Sequence, residues 1–166
     1  DKFELVKISL KSGTISSFTE AFPSFDWNQI NWDEFFPQAN DFAYGYFTIS
    51  PDEKRVMGYK NIFTADTNNP CVAAASHNLW VFNLENNTIE SFKNRPGYIS
   101  DSAWKYDGAE IAFSIIGNAG CYPDYLDSRI DLFDRDGQLK INLVDEPKSK
   151  ISNIGWSPDG AAIAFD

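Results

Sequence analysis

The chain has few of the residues that build catalytic and metal centres. Its 166 residues include one histidine, His77, and two cysteines, Cys71 and Cys121. A Ser-His-Asp triad or a histidine-based metal site would have to use His77, which lies in the stretch Ser76-His77-Asn78 and which we predict to be a surface residue. Two cysteines and one histidine cannot fill a tetrahedral structural zinc site. With no Gly-rich phosphate loop and no G-x-S-x-G sequence, we expect a protein without catalytic residues, metal or cofactor.

Calcium is a metal that the scarcity of His and Cys does not exclude, because it binds oxygen ligands. Carboxylates recur at Asp124 and Asp127, and again at Asp131, Asp134 and Asp136. The second group alternates along a predicted strand and turn, without the loop spacing of known calcium motifs. We therefore favour a structural role for these residues.

Positive charge and long apolar runs are also scarce. The chain has 14 Lys and Arg against 24 Asp and Glu, a net charge of −10. Nucleic-acid binding needs a Lys/Arg-rich face, and attachment to anionic lipid needs basic clusters. No apolar run approaches the ~18–20 residues that cross a bilayer. The sequence predicts neither a nucleic-acid partner nor a membrane span, and the acidic surface favours solubility.

Aromatic residues are abundant instead. They make up 16% of the chain, within a hydrophobic share of 43% that is sufficient for a core. No segment has the pattern of a long amphipathic helix, and aromatic residues favour strands. The sequence predicts an all-β protein.

A hairpin recurs along the chain. Ile99–Phe113 matches Ile151–Phe165 position for position, and Tyr46–Val56 is a weaker copy. Each copy has an aromatic strand, a turn centred on Asp, as in Ser157-Pro158-Asp159-Gly160, and a second, apolar strand. Pro presets φ at the second turn position, and Asp followed by Gly supplies a side-chain bond to the backbone and a positive φ. We label these strands A and B.

A second hairpin, C–D, falls between the A–B copies. Residues 5–18 resemble 79–92, and 130–141 are a weaker copy, each with a Gly, Asn or Asp turn between short alternating runs. The chain thus reads C-D, A-B-C-D, A-B-C-D, A-B. Four-stranded antiparallel units of this kind, repeated radially, are the blades of a β-propeller.

The third A–B copy carries a family resemblance. Trp156-Ser157-Pro158-Asp159-Gly160, followed by Ile163-Ala164-Phe165, resembles the TolB-like β-propeller repeat. The second copy departs by Lys105-Tyr106 in place of Ser-Pro, and the first by Glu53 in place of Gly. The resemblance implies a non-catalytic scaffold that binds a protein or ligand in the periplasm, at the cell surface or after secretion. It leaves open a propeller fragment of a larger enzyme such as a peptidase or lyase.

About three blades are present in residues 1–166, whereas propellers have four to eight and TolB-like ones are commonly six-bladed. Either the chain is a fragment of a longer propeller, or the C–D and A–B half-blades at its ends pair between chains in a homo-oligomer.

An insertion at 19–42 interrupts the repeat. The other D-to-A connections are predicted at 93–98 and 144–150, so this one is unusually long, and long connections are often functional. One interpretation is a glycan site, in which Trp27 and Trp32 stack on sugar rings while Asp26 and Asp33 bond hydroxyls. The other, which we favour, is a lid whose aromatic residues pack on the blades.

The two cysteines fall in equivalent B-to-C loops of neighbouring blades. We expect a Cys71–Cys121 disulfide, typical of an oxidising compartment; the alternative is two buried thiols. The loop around Cys121 also holds Tyr122 and Tyr125, a further candidate contact surface.

Overall fold

The fold is all-β, as predicted. The computed structural model describes residues 6–8, 15–17, 20, 22–30, 43–65, 72–120, 127–147 and 150–166. A 3-10 turn spans Trp27–Gln29. The strands are β1 Val6–Ile8, β2 Ile15–Ser17, β3 Ala43–Ile49, β4 Arg55–Ala65, β5 Val72–Asn83, β6 Thr88–Pro96, β7 Tyr98–Trp104, β8 Glu110–Ile116, β9 Asn118–Gly120, β10 Asp127–Asp134, β11 Leu139–Pro147, β12 Gly155–Trp156 and β13 Ile163–Ala164.

The strands form antiparallel sheets in chain order. Two sheets have four consecutive repeat strands, β3-β4-β5-β6 and β7-β8-β10-β11, and two hairpins, β1-β2 and β12-β13, stand at either end. This order matches the predicted C-D, A-B-C-D, A-B-C-D, A-B series. Within the described ranges, no sheet closes on itself. The short strand β9 was not predicted; it follows β8 but pairs with β5 of the other four-stranded sheet.

Two strand boundaries differ from the prediction. Strand β5 begins at Val72 rather than near Leu79, and β6 continues to Pro96 so that Gly97 alone leads to β7. The predicted connection 93–98 was therefore too long. Proline is tolerated at the end of an edge strand, and Gly97 has a φ of +84 with only 2.7 Å between a built Cβ and the Ile115 side chain. Only glycine fits a turn this tight.

The central strands of each four-stranded sheet bury side chains on both faces. In β4 and β5, Val56 and Phe82 point to one face, while Met57 and Val81 point to the other. Side chains alternate between faces along a strand, so a run that is apolar at every position needs a cover on both sides. This explains why the central strands are apolar on both faces and why the sheets must pack against neighbours.

Three hydrophobic cores result. The inter-sheet core lies between the two four-stranded sheets, and an insertion core lies on the other face of the first sheet. A C-terminal core joins the second sheet to the β12-β13 region. Their buried members are, respectively, Met57, Tyr59, Leu79, Val81, Ile99, Ile111, Phe113, Ile115 and Phe133; Phe25, Ile30, Val56, Trp80 and Phe82; and Ala112, Ile130, Leu132, Ile151 and Ile154.

The A–B turns have the predicted chemistry. In the third turn, the Asp159 carboxylate accepts hydrogen bonds from the Ser157 hydroxyl at 2.6 Å and the Ala161 amide at 3.0 Å. Asp52 in the first turn accepts the equivalent bonds from Ser50 and Lys54. The residue after the Asp has positive φ in all three turns, including the non-glycine Glu53 at 57°. The turn therefore forms even where the glycine is missing.

Successive A–B turns also lie against one another. A Cβ built on Gly108 of the second turn would be 3.1 Å from the Asp52 carboxyl carbon of the first, and one on Gly160 of the third would be 2.5 Å from Lys105 of the second. The equivalent turns are thus neighbours at one end of the sheets.

We expect Gly108→Ala to destabilise the protein by about 1–2 kcal/mol, because it forces an L-residue to a φ of +68° and presses a methyl group on Asp52. Urea unfolding would measure this effect. The adjacent Ala109→Gly variant is the control for backbone flexibility and should lose less. Equal losses of stability in both variants would show that the positive φ and the contact with Asp52 are not the cause.

Two buried side chains join successive sheets. The Asn61 amide donates to the Ile99 carbonyl at 2.7 Å, and its oxygen accepts from the Ile99 amide at 2.8 Å. In the next repeat, the Ser114 hydroxyl donates to the Ile151 carbonyl at 2.7 Å. Ile99 and Ile151 are equivalent in the sequence repeat, so the same junction is built twice with different side chains.

Candidate functional site

Charged side chains connect the two four-stranded sheets at the end where the turns lie. The Arg135 guanidinium, in the β10–β11 turn, is 2.6 Å from Asp52 in the β3–β4 turn. In the opposite direction, Arg55 of β4 reaches Asp136 at 3.3 Å and also binds Glu85 at 3.1 Å. The two arginines therefore cross between the sheets.

These ion pairs hold carboxylates in their charged form. Hydrogen bonds from Lys54 and Arg55 lower the pKa of Glu85 below its ordinary value. At Asp52, desolvation is outweighed by hydrogen bonds from Ser50, Lys54 and Arg135, which lower the pKa. The Arg55 side chain is only 8% exposed, and its two acidic partners compensate the cost of burying its charge.

A polar cleft opens beside Arg55. Its volume is about 330 Å³, and its polar lining consists of Arg55, Asn83, Asn86, Thr88, Glu90 and Asp136. Amides, a hydroxyl and carboxylates offer hydrogen-bond donors and acceptors of the kind that bind a peptide main chain or sugar hydroxyls. In the described ranges no group of three or more His, Cys, Asp or Glu is placed to hold a metal ion.

The described part of the insertion packs on the first sheet. Phe25 is buried against Phe82, with ring centroids 6.1 Å apart, and Trp27 lies 4.7 Å from Phe25. The Trp27 indole N–H donates to the Phe22 carbonyl at 3.1 Å. The exposed Asp26 accepts from the Asn28 amide and caps the 3-10 turn. One side of the Trp27 ring therefore packs against Phe25.

We expect Trp27→Ala to lower the free energy of unfolding by about 1–2 kcal/mol, because the half-buried ring loses its contact with Phe25. Asp26→Asn is a matched control, since an amide oxygen can still cap the turn, and should change stability by less than about 0.5 kcal/mol. Denaturant unfolding followed by fluorescence tests both. A neutral Trp27→Ala would show that the ring does not support the fold.

The other predicted contact residues cannot be placed. Trp32, Asp33, Tyr122 and Tyr125 lie outside the described residues, as do Cys71 and Cys121. Of the proposed glycan site, the structure locates Asp26 and Trp27 alone, as neighbours in one turn.

His77 was predicted at the surface, and that prediction was wrong. It lies within β5, 1% exposed, and its Nδ1 is 2.8 Å from the Gly97 carbonyl oxygen. Burial lowers the pKa of His77 to about 4, with Arg95 and Arg129 acting in the same direction and Asp131 opposing them. The residue is buried because β5 starts earlier than predicted, which places His77 two positions from Leu79 on the face of the inter-sheet core.

Three of the aspartates considered for calcium have other roles, whereas Asp124 lies outside the described residues. Asp131 is buried and binds the Arg129 guanidinium at 3.0 Å, whereas Asp134 accepts from backbone amides in the β10–β11 turn. Asp136 pairs with Arg55. The three carboxylates do not converge on one point, in agreement with the structural role favoured from sequence.

Sequence reasoning missed the polar cleft. Arg55 and Asp136 lie 81 residues apart, and each looked like an ordinary charged residue beside a turn. The available signal was that Arg55 follows the A–B turn of one repeat and Asp136 lies in the C–D turn of the next. In an antiparallel four-stranded unit, these two turns lie at the same end of the sheet.

Comparison with known proteins adds no assignment: no family model matches the chain, and no curated protein is similar to it. In the part of the chain that the structure describes, no helix has the length and apolar character needed to cross a membrane.

Proposed function

We propose that the chain is part of an extracytoplasmic β-propeller of the TolB-like kind, acting as a non-catalytic scaffold that binds a protein partner. The observation that carries this proposal is the repeated packing of four-stranded sheets in which both faces are apolar and equivalent turns lie side by side. Sheets that cover one another on both faces are what a blade series requires.

The polar cleft is the surface we assign to the partner. It lies at the turn end, where loops of successive blades would present themselves together, and its lining includes the exposed polar side chains of Asn86 and Glu90. Its lining has one basic side chain, Arg55, against two carboxylates, Asp136 and the exposed Glu90. A polypeptide segment that carries lysine or arginine would be favoured over an acidic one.

Site-specific photo-crosslinking tests this assignment. A photoreactive residue replaces Asn86 at the cleft, and a matched one replaces the exposed Asn153 beyond the second four-stranded sheet, before incubation with periplasmic or secreted proteins. We expect one discrete adduct from position 86, competed by unlabelled chain and weakened by Glu90→Lys. Adducts of equal intensity from both positions, or none from position 86, would contradict the proposal.

Ring completion is the second part of the proposal. The β12-β13 hairpin has only two strands, and an apolar groove of about 310 Å³ beside it is lined by Leu143, Trp156, Ile163 and Phe165. Phe165 is 43% exposed. The β1-β2 hairpin is likewise two-stranded and resembles the C–D hairpins that complete the other sheets. We infer that this groove receives a C–D hairpin, supplied either by a second copy in a homo-oligomer or by further sequence of a longer protein.

Solution mass separates the two sources. Light scattering on the 166-residue chain would give twice 18.7 kDa if a second copy completes the ring, and Phe165→Asp would return the mass to that of one chain. A monomer whose mass is insensitive to Phe165→Asp would exclude the second copy.

Carbohydrate binding is the alternative function. It is favoured by Trp27, whose ring is only half-buried and which lies beside the exposed polar residues Asp26 and Asn28. A glycan array identifies a ligand, and Trp27→Ala and Trp32→Ala should then weaken its binding. Silence on the array, or unchanged affinity in both variants, would remove this alternative.

A further inference from the structure

The turn between β5 and β6 carries the only Asn-x-Ser/Thr sequence of the chain. Asn86 is followed by Asn87 and then by Thr88, whereas no other asparagine has a serine or threonine two positions later. Oligosaccharyltransferases attach glycans to the asparagine of such a sequence when the middle residue is not proline, and the acceptor sites lie in surface loops. Because a match this short also arises by chance, the surroundings of Asn86 in the fold decide whether it can carry a glycan.

The other two asparagines of this hairpin maintain its shape. Asn83 ends β5, and its side-chain oxygen accepts hydrogen bonds from the backbone amides of Glu85 and Asn86 at 3.0 and 3.3 Å. Asn87 has a positive φ of 58°, and its side-chain oxygen accepts a hydrogen bond from the Asp26 amide at 2.7 Å. These two side chains therefore order the turn and join it to the insertion.

The Asn86 side chain has neither of these roles. Its carbonyl oxygen accepts a hydrogen bond from the Thr88 hydroxyl at 2.7 Å. Within the described residues, its Nδ2 makes no hydrogen bond. Residues 85–88 are all exposed, so a bulky group on Nδ2 would extend into solvent without displacing a packed side chain. The acceptor nitrogen and the hydroxyl of the sequence thus lie together at the surface.

We propose that Asn86 is an N-glycosylation site. The proposal rests on the extracytoplasmic location in the proposed function, because this acceptor sequence is used in secreted proteins. The donor is an oligosaccharide linked through pyrophosphate to a lipid. Asn86 also lines the polar cleft, so the first sugar would lie beside the surface assigned to the partner.

The transfer exchanges one bond at the anomeric carbon of the sugar. Nδ2 of Asn86 attacks C1 of the donor, and the N–C1 bond forms as the C1–O bond to the pyrophosphate breaks. The lipid pyrophosphate leaves with the electron pair, and a base of the transferase takes one proton from the amide. No atom is oxidised or reduced.

Glycosyl transfer in solution tests the site. The 166-residue chain is diluted from urea into purified oligosaccharyltransferase with a lipid-pyrophosphate-linked oligosaccharide, and a short Asn-x-Thr peptide serves as an internal acceptor. Intact mass should show one glycan on the wild type and none on Asn86→Gln. An unmodified chain in a reaction that modifies the peptide would overturn the proposal, as would an unreduced yield in Asn86→Gln.

Substitutions at Thr88 and Asn87 make the test specific. Thr88→Ser keeps the hydroxyl and should still be glycosylated, whereas Thr88→Val keeps a similar shape without the hydroxyl and should not. Asn87→Gln leaves the Asn-x-Thr sequence intact and should also be glycosylated. Transfer to Thr88→Val at the wild-type yield, or loss of transfer in Asn87→Gln, would contradict Asn86 as the acceptor.

The thermal midpoint gives a second readout, on the folded protein. Because residues 85–88 are exposed, the glycosylated wild type should have a Tm no lower than that of the unmodified chain. Phe63→Thr combined with Asn86→Gln moves the sequence to Asn61, which is buried. A glycan there should lower the Tm relative to the same variant without one. A similar loss of Tm on glycosylation of Asn86 would contradict its placement at the surface.

The transfer reaction supplies both enzyme and donor, so its outcome does not depend on where the chain is located or on what the cleft binds. A chain that accepts a glycan but captures no partner from position 86 would contradict the proposed function alone. A chain that captures a partner but stays unmodified would contradict only this inference.

Discussion

Lowering the pH from 7 to 5 should reduce the free energy of unfolding by roughly 2 kcal/mol through His77 alone. The pKa of His77 is about 4 in the folded protein, against a model value of 6.5. Between these values the unfolded chain binds a proton that the folded protein does not, so stability falls as the pH falls from about 6.5 to about 4. The full loss is about 3 kcal/mol and is complete below pH 4.

The physical reason lies in the surroundings of the ring. Gly97 O can only accept a hydrogen bond, so Nδ1 carries the proton of the neutral ring. Acid must then protonate Nε2, which is buried and has no hydrogen-bond partner among the described residues. The new charge would face Arg95 and Arg129, and Asp131 offsets them only in part.

Urea unfolding at pH 7, 6 and 5 measures this loss, and a thermal scan should show a Tm lower by roughly 4–8 °C at pH 5. His77→Asn is the control, because an amide can still donate to Gly97 O but does not titrate. The free energy of unfolding of this variant should change little between pH 7 and pH 5. His77 is the sole histidine, so an equal slope in wild type and variant would contradict the assignment.

Removing the Asn61 side chain should cost about 3–4 kcal/mol. Asn61 is 3% exposed and hydrogen-bonds both the N–H and the C=O of Ile99. In Asn61→Ala, these two buried groups lose that partner. Each orphaned buried group costs about 1–3 kcal/mol. Denaturant unfolding at neutral pH measures the loss.

The repeat supplies a graded comparison. Ser114→Ala removes the single bond to the Ile151 carbonyl at the equivalent junction and should cost about 1–2 kcal/mol. Asn61→Asp keeps an acceptor for the Ile99 N–H but turns an oxygen toward the Ile99 carbonyl, so it should also destabilise. The exposed Asn28→Ala should change stability by less than about 0.5 kcal/mol. If Asn61→Ala is no worse than Asn28→Ala, these bonds do not join the sheets.

Local chemistry explains what could be predicted. The A–B turn depends on residues within a few positions of one another, such as Ser157 and Asp159, so its hydrogen bonds and positive φ were readable from the sequence. The strand order followed because each hairpin carries its own turn. The propeller ring itself depends on how the sheets stack and close, and it stays a proposal.

Long-range contacts account for the failures. His77 sits in a polar stretch, and nothing local indicates that β5 extends past it or that another sheet covers it. Asn61 and Ile99 are 38 residues apart. The sequence around an asparagine in an apolar strand does not indicate which residue it hydrogen-bonds. The same holds for Arg55 and Asp136, which line the polar cleft.

The sequence by itself determined the class, the strands and the turns of this protein, because these follow from the alternation of side chains and from the conformations that Pro, Asp and Gly allow. The tertiary structure alone decided which polar groups are buried between sheets, which arginines cross from one sheet to the next, and where β9 pairs. Those outcomes depend on contacts between residues that are far apart in the chain. Such contacts form only when the sheets pack against one another.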